Sequence, residues 1–138
     1  MIRGVQIAAK KGLKVIAVDR YGQSATAHST LTSFSGEKKK QLCLSLGAAS
    51  FLDYKVDDIE AEVKRLTSGL GAHAVICTAN SEPAYTQSMR LLRSLGVLVC
   101  VGIPSVPFRL PATPFDMIVK GRHMVKSVHR LERANKSL

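Results

Sequence analysis

A short apolar stretch that ends on an acid constrains the fold more than any other part of the chain. Residues 12–19 read Gly-Leu-Lys-Val-Ile-Ala-Val-Asp and follow an amphipathic segment. A run of this kind predicts a buried parallel strand. A carboxylate at the tip of such a strand can hold the ribose of a nucleotide, because it accepts hydrogen bonds from the vicinal hydroxyls. The alternative is that Asp19 is a solvated residue that ends the strand.

The composition is typical of a globular domain. Of 138 residues, 46% are hydrophobic and 22% are charged, and no apolar run approaches the roughly 18 residues of a membrane helix. Lys10 and Lys11 interrupt the first apolar segment, so we expect no signal peptide, no membrane partner and a cytoplasmic location. The cysteines lie far apart in apolar runs, which predicts reduced core thiols rather than a disulfide or a metal set. They are Cys43, Cys77 and Cys100.

The net charge of +10 raises the question of nucleic-acid binding. The basic residues are spread along the chain, few aromatic residues accompany them, and no base-stacking or zinc-finger pattern is present. We therefore expect solvated helix faces rather than a nucleic-acid interface. The densest basic region, residues 120–138, keeps the alternative open.

The order of elements predicts an α/β fold with a doubly wound parallel sheet, Rossmann-like. The predicted helices cover residues 1–11, 36–46, 56–67, 82–93 and 114–120, and the predicted strands cover 13–19, 49–54, 72–79, 96–102 and 123–128. We interpret residues 1–138 as one incomplete dinucleotide-binding domain. Residues 20–35 are rich in Ser, Thr and Ala and predict a disordered insertion, and 129–138 predict an unstructured tail. Both segments could be gene-model artefacts.

Several segments together resemble the nucleotide-binding domain of the medium-chain, zinc-dependent alcohol dehydrogenases, particularly the yeast and fungal type. The resemblance covers roughly residues 4–19 and 36–128. It rests on the order and spacing of the following segments: Val5–Ala8, Gly12–Asp19, Leu46–Ala48, Phe51–Tyr54, Gly71–Ile76, Leu98–Pro104, Pro114–Asp116 and Val119–Gly121.

The resemblance implies NAD as the cofactor. In the family an acid after the second strand holds the adenosine ribose, which implies this role for Asp19 and a preference for NAD over NADP. A lysine of the following helix also reaches the ribose, and Lys39 matches it, with Lys38 and Lys40 as alternatives. Tyr54 matches an aromatic position beside the adenine.

Five further positions match the cofactor cleft of the family. Ala79 and Ser81 match residues that line the cleft, and Val101 and Ile103 match residues whose backbone faces the nicotinamide. Ser127 matches a late strand position near the cofactor. For Ala79, Val101 and Ile103, the residues alone favour plain core packing.

The sequence departs from the family pattern at its start. The glycine-rich G-x-G-x-x-G turn and the strand before it are not found, so we expect the first strand of the sheet to be missing. That strand is central in the order 3-2-1-4-5-6, and its neighbours would each lack a ladder partner. We therefore expect a domain truncated at both ends.

The zinc ligands of the family are also not found. The chain has no C-x-x-C and no Cys/His pair at ligand spacing, and we expect none of the four histidines to bind zinc. They are His28, His73, His123 and His129. We predict no catalytic residue and no metal site.

Three functions follow. The first is the NAD-binding part of an alcohol dehydrogenase-like oxidoreductase, inactive by itself because the zinc catalytic domain lies elsewhere; whether the chain is an enzyme is left open. The second is a binding or regulatory module that forms a homo-oligomer or joins a full-length dehydrogenase through a sheet edge, near residues 97–101 or from His123. The third is a basic nucleic-acid-binding fragment that uses residues 120–136.

Overall fold

The computed structural model describes residues 2–19, 36–104, 106–110 and 112–126. Residues 20–35, Ser127 and the predicted tail lie outside the described residues. In chain order the elements are α1 (Ile2–Lys10), β1 (Val15–Asp19), α2 (Gly36–Ser45), β2 (Ala48–Asp53), α3 (Ile59–Leu66), β3 (Ala72–Cys77), α4 (Glu82–Leu91), β4 (Leu92–Cys100), α5 (Pro114–Lys120) and β5 (His123–Lys126). Among these helices none has the length and apolar character needed to cross a bilayer.

The chain divides into two compact units, Met1–Arg65 (unit 1) and Leu66–Leu138 (unit 2). In unit 1, β1 and β2 pair in parallel, with Asp19 opposite Asp53 at their carboxyl ends. Helices α1 and α2 are each followed, two residues after their last residue, by a glycine with left-handed backbone, Gly12 (φ 77°) and Gly47 (φ 98°), a conformation that glycine adopts without steric cost. One core cluster of unit 1 consists of Val5, Ala17, Cys43 and Ala48, and Leu52, Ile59 and Val63 are also buried in this unit.

Unit 2 contains a three-stranded parallel sheet in the order β3-β4-β5. Its core is formed by larger side chains, which pack between the sheet and α4: Cys77, Tyr85, Met89, Leu92 and Leu98. Leu98 in the central strand has no exposed surface. Part of the loop after β4 also contacts this core, through Phe108 and Leu110.

The short helix α5 has its predicted bounds of 114–120. It buries no residue and is defined at both ends by local hydrogen bonds. At its start Thr113 and Asp116 form a reciprocal capping box, and at its end Gly121 (φ 56°) donates its N–H to Ile118 and Met117. These caps satisfy backbone groups that a helix leaves unpaired at its ends.

The predicted α/β fold with parallel strands and covering helices is confirmed. The three strand pairings are all parallel, but the strands pair as two sheets, β1-β2 and β3-β4-β5. Within the described residues β1 pairs with β2 alone and β3 with β4 alone.

The predicted boundary between α4 and β4 is wrong. The apolar positions continue through Leu92 and predict a helix to Arg93, but the helix ends at Leu91 and β4 begins at Leu92, not at Gly96. Leu92 is 2% exposed and pairs with Ala72, and the register then shifts before Val97 pairs with Ala74. Leu95 has a left-handed backbone (φ 61°) within the irregular part. Core packing of Leu92 therefore overrides the local helical pattern.

The predicted start of α3 is also wrong, because Val56 precedes the helix and is 81% exposed. The carboxylate of Asp57 accepts a hydrogen bond from the backbone N–H of Asp53 at 2.7 Å. Asp58 then accepts from Ala61 at 3.1 Å, as an N-cap does. The acids therefore form a turn and a cap before the helix instead of its first turn.

Candidate cofactor site

In unit 1 the structure brings Asp19, Lys39 and Tyr54 together. Asp19 ends β1, and its carboxylate Oδ2 lies 3.5 Å from Nζ of Lys39 in α2. Tyr54 follows β2 directly, and its N–H donates to the Asp19 carbonyl at 3.2 Å. The Asp19 and Lys39 side chains are 27% and 33% exposed, and both therefore remain accessible to a ligand. Of the three lysines, the one that pairs with Asp19 is Lys39, whereas Lys38 is exposed.

A shallow pocket of about 230 Å³ lies at the carboxyl end of β2 in unit 1. Its lining consists of Lys40, Phe51, Asp53, Val56 and Asp57. The Asp53 carboxylate is turned toward the backbone, since its Oδ1 accepts the N–H of Lys55 at 2.9 Å. We did not predict this pocket from the sequence. The available signal was a pair of acids four residues apart, Asp53 at the end of the strand and Asp57 after it, which favours the turn that lines the pocket.

The buried thiol Cys43 lies in the core of unit 1 near the ion pair. Burial raises its pKa above the ordinary value, and the negative charge of Asp19 raises it further, while Lys39 opposes these effects. The thiol is therefore protonated at neutral pH. It contributes apolar volume to the core rather than a nucleophile.

In unit 2 the predicted residues lie where β3 and β4 end. Ala79 and Ser81 follow β3 and are exposed, and Ser81 is the N-cap residue of α4, with no capping bond from its side chain. Val101 and Ile103 follow β4 and are 41% and 85% exposed. The core-packing alternative does not fit Ala79, Val101 or Ile103, because all three are exposed. Ser127 lies outside the described residues.

Main-chain contacts bring the ends of β3 and β4 together. The Cys77 carbonyl accepts the N–H groups of Val101 at 2.9 Å and Gly102 at 3.1 Å. A Cβ at Gly102 would lie 2.5 Å from the carbonyl carbon of Ala79 and 2.7 Å from the carbonyl oxygen of Thr78. Glycine is thus required for the close approach of these two segments.

The residue that sequence reasoning missed in unit 2 is Tyr85. Its ring is 4% exposed, and its hydroxyl donates to the carbonyl of Gly102. Burial raises the pKa of this phenol, and the neighbouring thiols Cys100 and Cys77 raise it further. The available signal was spacing, since Tyr85 and Met89 recur at the interval of one helical face.

The described residues do not fit the zinc ion that the family resemblance implies. Among them no three His, Cys, Asp or Glu side chains converge as a possible metal site. They do fit part of a nucleotide, because a partly exposed carboxylate beside a lysine offers an acceptor and a donor for ribose hydroxyls.

Comparison with known proteins decides the family. A family model described as zinc-binding dehydrogenase matches residues 2–136. The chain belongs to the zinc-binding dehydrogenase family. It is 38% identical over 101 residues to alcohol dehydrogenase 1 of Emericella nidulans and 34% identical over 119 residues to alcohol dehydrogenase 1 of Neurospora crassa. These matches cover 72% and 84% of the chain but 25% and 29% of the relatives.

Solved dehydrogenase structures share the fold. Benzyl alcohol dehydrogenase of Acinetobacter calcoaceticus matches 92% of this chain and 31% of its own, with a TM-score of 0.73 and 22% identity. An alcohol dehydrogenase from Thermus sp. ATN1 gives a TM-score of 0.72 at 17% identity over 91% of this chain and 32% of its own. A Sinorhizobium meliloti protein titled as a putative zinc-binding dehydrogenase, solved bound to NADP, gives 0.70 at 24% identity over 91% and 33%.

Proposed function

We propose that this zinc-binding dehydrogenase chain binds NAD as the cofactor part of an alcohol dehydrogenase-like oxidoreductase. The observation that carries the proposal is the Asp19–Lys39 pair at the carboxyl end of β1, where open α/β sheets bind nucleotides. The chain spans 25–29% of the length of the curated relatives it matches. Oxidation of an alcohol to an aldehyde or ketone is therefore proposed for the whole protein, and cofactor binding for this chain.

Each side chain of the pair has a separate role in this proposal. The Asp19 carboxylate accepts hydrogen bonds from the two vicinal hydroxyls of the adenosine ribose, and Lys39 donates to one of them. Tyr54, which is 44% exposed, offers an aromatic face for the adenine. In unit 2 the resemblance assigns Ala79 and Ser81 to the lining of the cleft, and the backbone of Val101 and Ile103 to the nicotinamide. The resemblance also assigns Ser127 to a position near the cofactor.

Asp19 also supports a preference for NAD over NADP. The 2′-phosphate of NADP would place a second anion where the carboxylate meets the 2′-hydroxyl, and two anions in contact repel each other. Lys39 reduces this repulsion but already pairs with Asp19. We expect NAD to bind at least about tenfold more tightly, a difference of about 1.4 kcal/mol.

The test is a calorimetric titration of the purified chain with NAD, NADP and AMP. Replacement of Asp19 by Ala should weaken NAD and AMP about tenfold to a hundredfold, since hydrogen bonds to charged groups contribute about 1.5–3 kcal/mol. Replacement of Lys39 by Met should weaken both less. Lys38→Met is the matched control, because it removes the same charge from the exposed face of α2.

Three results would contradict the proposal. They are equal affinities of wild type and Asp19→Ala, an equal effect of Lys38→Met and Lys39→Met, and no NAD binding by a chain whose circular-dichroism spectrum shows it to be folded. Tighter binding of NADP than NAD would refute the cofactor preference alone.

A second candidate function, an interaction module, is favoured by the outer strand β5 of unit 2. Residues 97–101 cannot supply the predicted docking edge, because β4 pairs with β3 on one side and β5 on the other. In β5 all four residues are exposed, and α5 exposes Phe115, Ile118 and Val119 by 65–80%. Co-purification of a full-length dehydrogenase, or a homo-oligomer on light scattering, tests it; a monomer that captures no dehydrogenase contradicts it.

The cytoplasmic location and the nucleic-acid alternative depend on different parts of the sequence. The cytoplasmic location stays part of the proposal, and the sequence supports it because its three cysteines follow no disulfide spacing of the kind found in oxidising compartments. Most of the basic region at residues 120–136 lies outside the described residues. A steep loss of affinity for nucleic acid with rising salt would be the mark of that function.

A further inference from the structure

A buried phenol in unit 2 is joined to the main chain at the end of β4. Tyr85 in α4 is 4% exposed, and its ring lies 5.5 Å from that of Phe108. A buried phenolic hydroxyl requires a hydrogen-bond partner. One partner is the carbonyl oxygen of Gly102, seventeen residues further along the chain, and the Cys100 thiol is another. The hydroxyl is therefore a link between the helix and the segment after the strand.

Three contacts restrict the backbone of Gly102, at its N–H, its α-carbon and its carbonyl. Its N–H donates to the Cys77 carbonyl at 3.1 Å, and its α-carbon faces the backbone of Ala79 too closely for a Cβ. Its carbonyl accepts from Tyr85. The first two contacts join β4 to the end of β3, whereas the third is made by a side chain and can be removed without altering the backbone.

We propose that Tyr85 is a positioning residue for the nicotinamide part of the cofactor. The proposal rests on the proposed function, in which the backbone of Val101 and Ile103 faces the nicotinamide. Gly102 lies between these two residues, and its carbonyl belongs to the peptide group that it shares with Ile103. Holding that carbonyl fixes the plane of this peptide, and so fixes the direction in which the backbone presents its polar groups to a ligand.

Replacement of Tyr85 by Phe isolates the hydroxyl. The ring remains, together with its contact to Phe108, while the Gly102 carbonyl loses its donor. The matched control is Ser88→Ala in the same helix. Ser88 is 7% exposed, and its hydroxyl donates within the helix to the Ala84 carbonyl at 2.7 Å, so this variant removes a buried hydroxyl that does not contact Gly102.

The first measurement is hydrogen exchange of the full chain without ligand. In Tyr85→Phe we expect the amides of Val101 and Gly102 to exchange roughly fivefold faster, the ratio that corresponds to one hydrogen bond. In Ser88→Ala their exchange should not change. Equal exchange in the two variants would overturn the anchoring of Gly102 by Tyr85, whatever the chain binds.

The second measurement compares NAD with AMP, which lacks the nicotinamide. Tyr85→Phe should weaken NAD roughly fivefold and leave AMP unchanged, because Asp19 and Lys39 belong to unit 1. A loss that is equal for the two ligands, or no loss for NAD, would overturn the positioning role, since a merely structural role would not separate them. If the wild-type chain does not bind NAD, the proposed function fails and the cofactor role with it, while the exchange result still decides the anchoring.

Discussion

In unit 1 the carboxyl ends of the strands carry charged side chains, whereas in unit 2 they are held together by main-chain contacts. Asp19 and Lys39 form an ion pair between β1 and α2. At the end of β4, two backbone amides share the Cys77 carbonyl, and Gly102 packs against backbone. A site made of charges tolerates small displacements, because Coulomb attraction falls slowly with distance; a site made of backbone does not.

The largest effect should come from the core of unit 2. Leu98→Ala removes a side chain with no exposed surface and should lower the free energy of unfolding by about 2–5 kcal/mol. In unit 1, Val5→Ala should cost about 1–2 kcal/mol, since fewer methyl groups leave the core. Urea unfolding followed by circular dichroism measures both, because the chain has no tryptophan. Equal losses would contradict the expectation that the cost rises with the apolar volume removed.

The second effect concerns the backbone at the end of β4. Gly102→Ala should lower the free energy of unfolding by about 1–3 kcal/mol, because the added methyl group overlaps backbone atoms that cannot move independently. Gly4→Ala is the control, since a Cβ at this helical position meets nothing within 4 Å. The control should be stabilised by about 0.5–1 kcal/mol. A Gly102→Ala chain as stable as wild type would show that the two strand ends are not held together.

Helix α5 of unit 2 depends on its caps rather than on packing. Thr113→Ala should cost about 1 kcal/mol in urea unfolding. The Thr113 side chain, then its backbone N–H, lowers the pKa of Asp116 in the folded state. Asp116 therefore stabilises the fold above its unfolded pKa of about 3.9, and this contribution is lost as the pH falls through the lower folded value.

Thr113→Ala should weaken this acid-dependent loss of stability, and Asp116→Asn should remove the part due to Asp116. Urea unfolding at a series of pH values, from neutral into the acid range, measures the free energy of unfolding of each variant. An unchanged pH dependence in both variants would show that the capping box does not act on the carboxylate.

The smallest effect on stability should come from the ion pair of unit 1. Lys39→Met should cost at most about 1 kcal/mol, because a partly exposed pair is screened by water and salt. Lys38→Met should cost less, and the difference between the two should shrink as salt is added. A larger cost for Lys39→Met, independent of salt, would mean that the ion pair of unit 1 contributes to stability as a core contact does.

The sequence was sufficient for features that depend on local pattern. The acid at the end of β1 follows from an apolar run that stops at Asp19, and the glycines at the ends of α1 and α2 follow from the conformations that glycine alone adopts readily. The bounds of α5 follow from a threonine cap before Pro114 and a glycine after Lys120. In each case the deciding residues are close neighbours in the chain.

The features that sequence reasoning missed depend on residues far apart in the chain. Leu92 begins β4 because it is buried and pairs with Ala72, although it continues the helical pattern of α4. The role of Tyr85 depends on a carbonyl seventeen residues away, and the need for glycine at position 102 depends on the backbone of Ala79. Periodicity describes the face on which a residue lies and not the partner that it meets.

The labelling rates of two buried thiols would report local opening in each unit. Cys43 in unit 1 is 1% exposed and Cys77 in unit 2 is 4% exposed, so a thiol reagent can reach either one only when its surroundings open. The rates at which the two sulfurs are labelled would then measure how often each unit opens. Partial labelling followed by mass spectrometry of the fragments would measure both labelling rates in one sample, with no introduced probe.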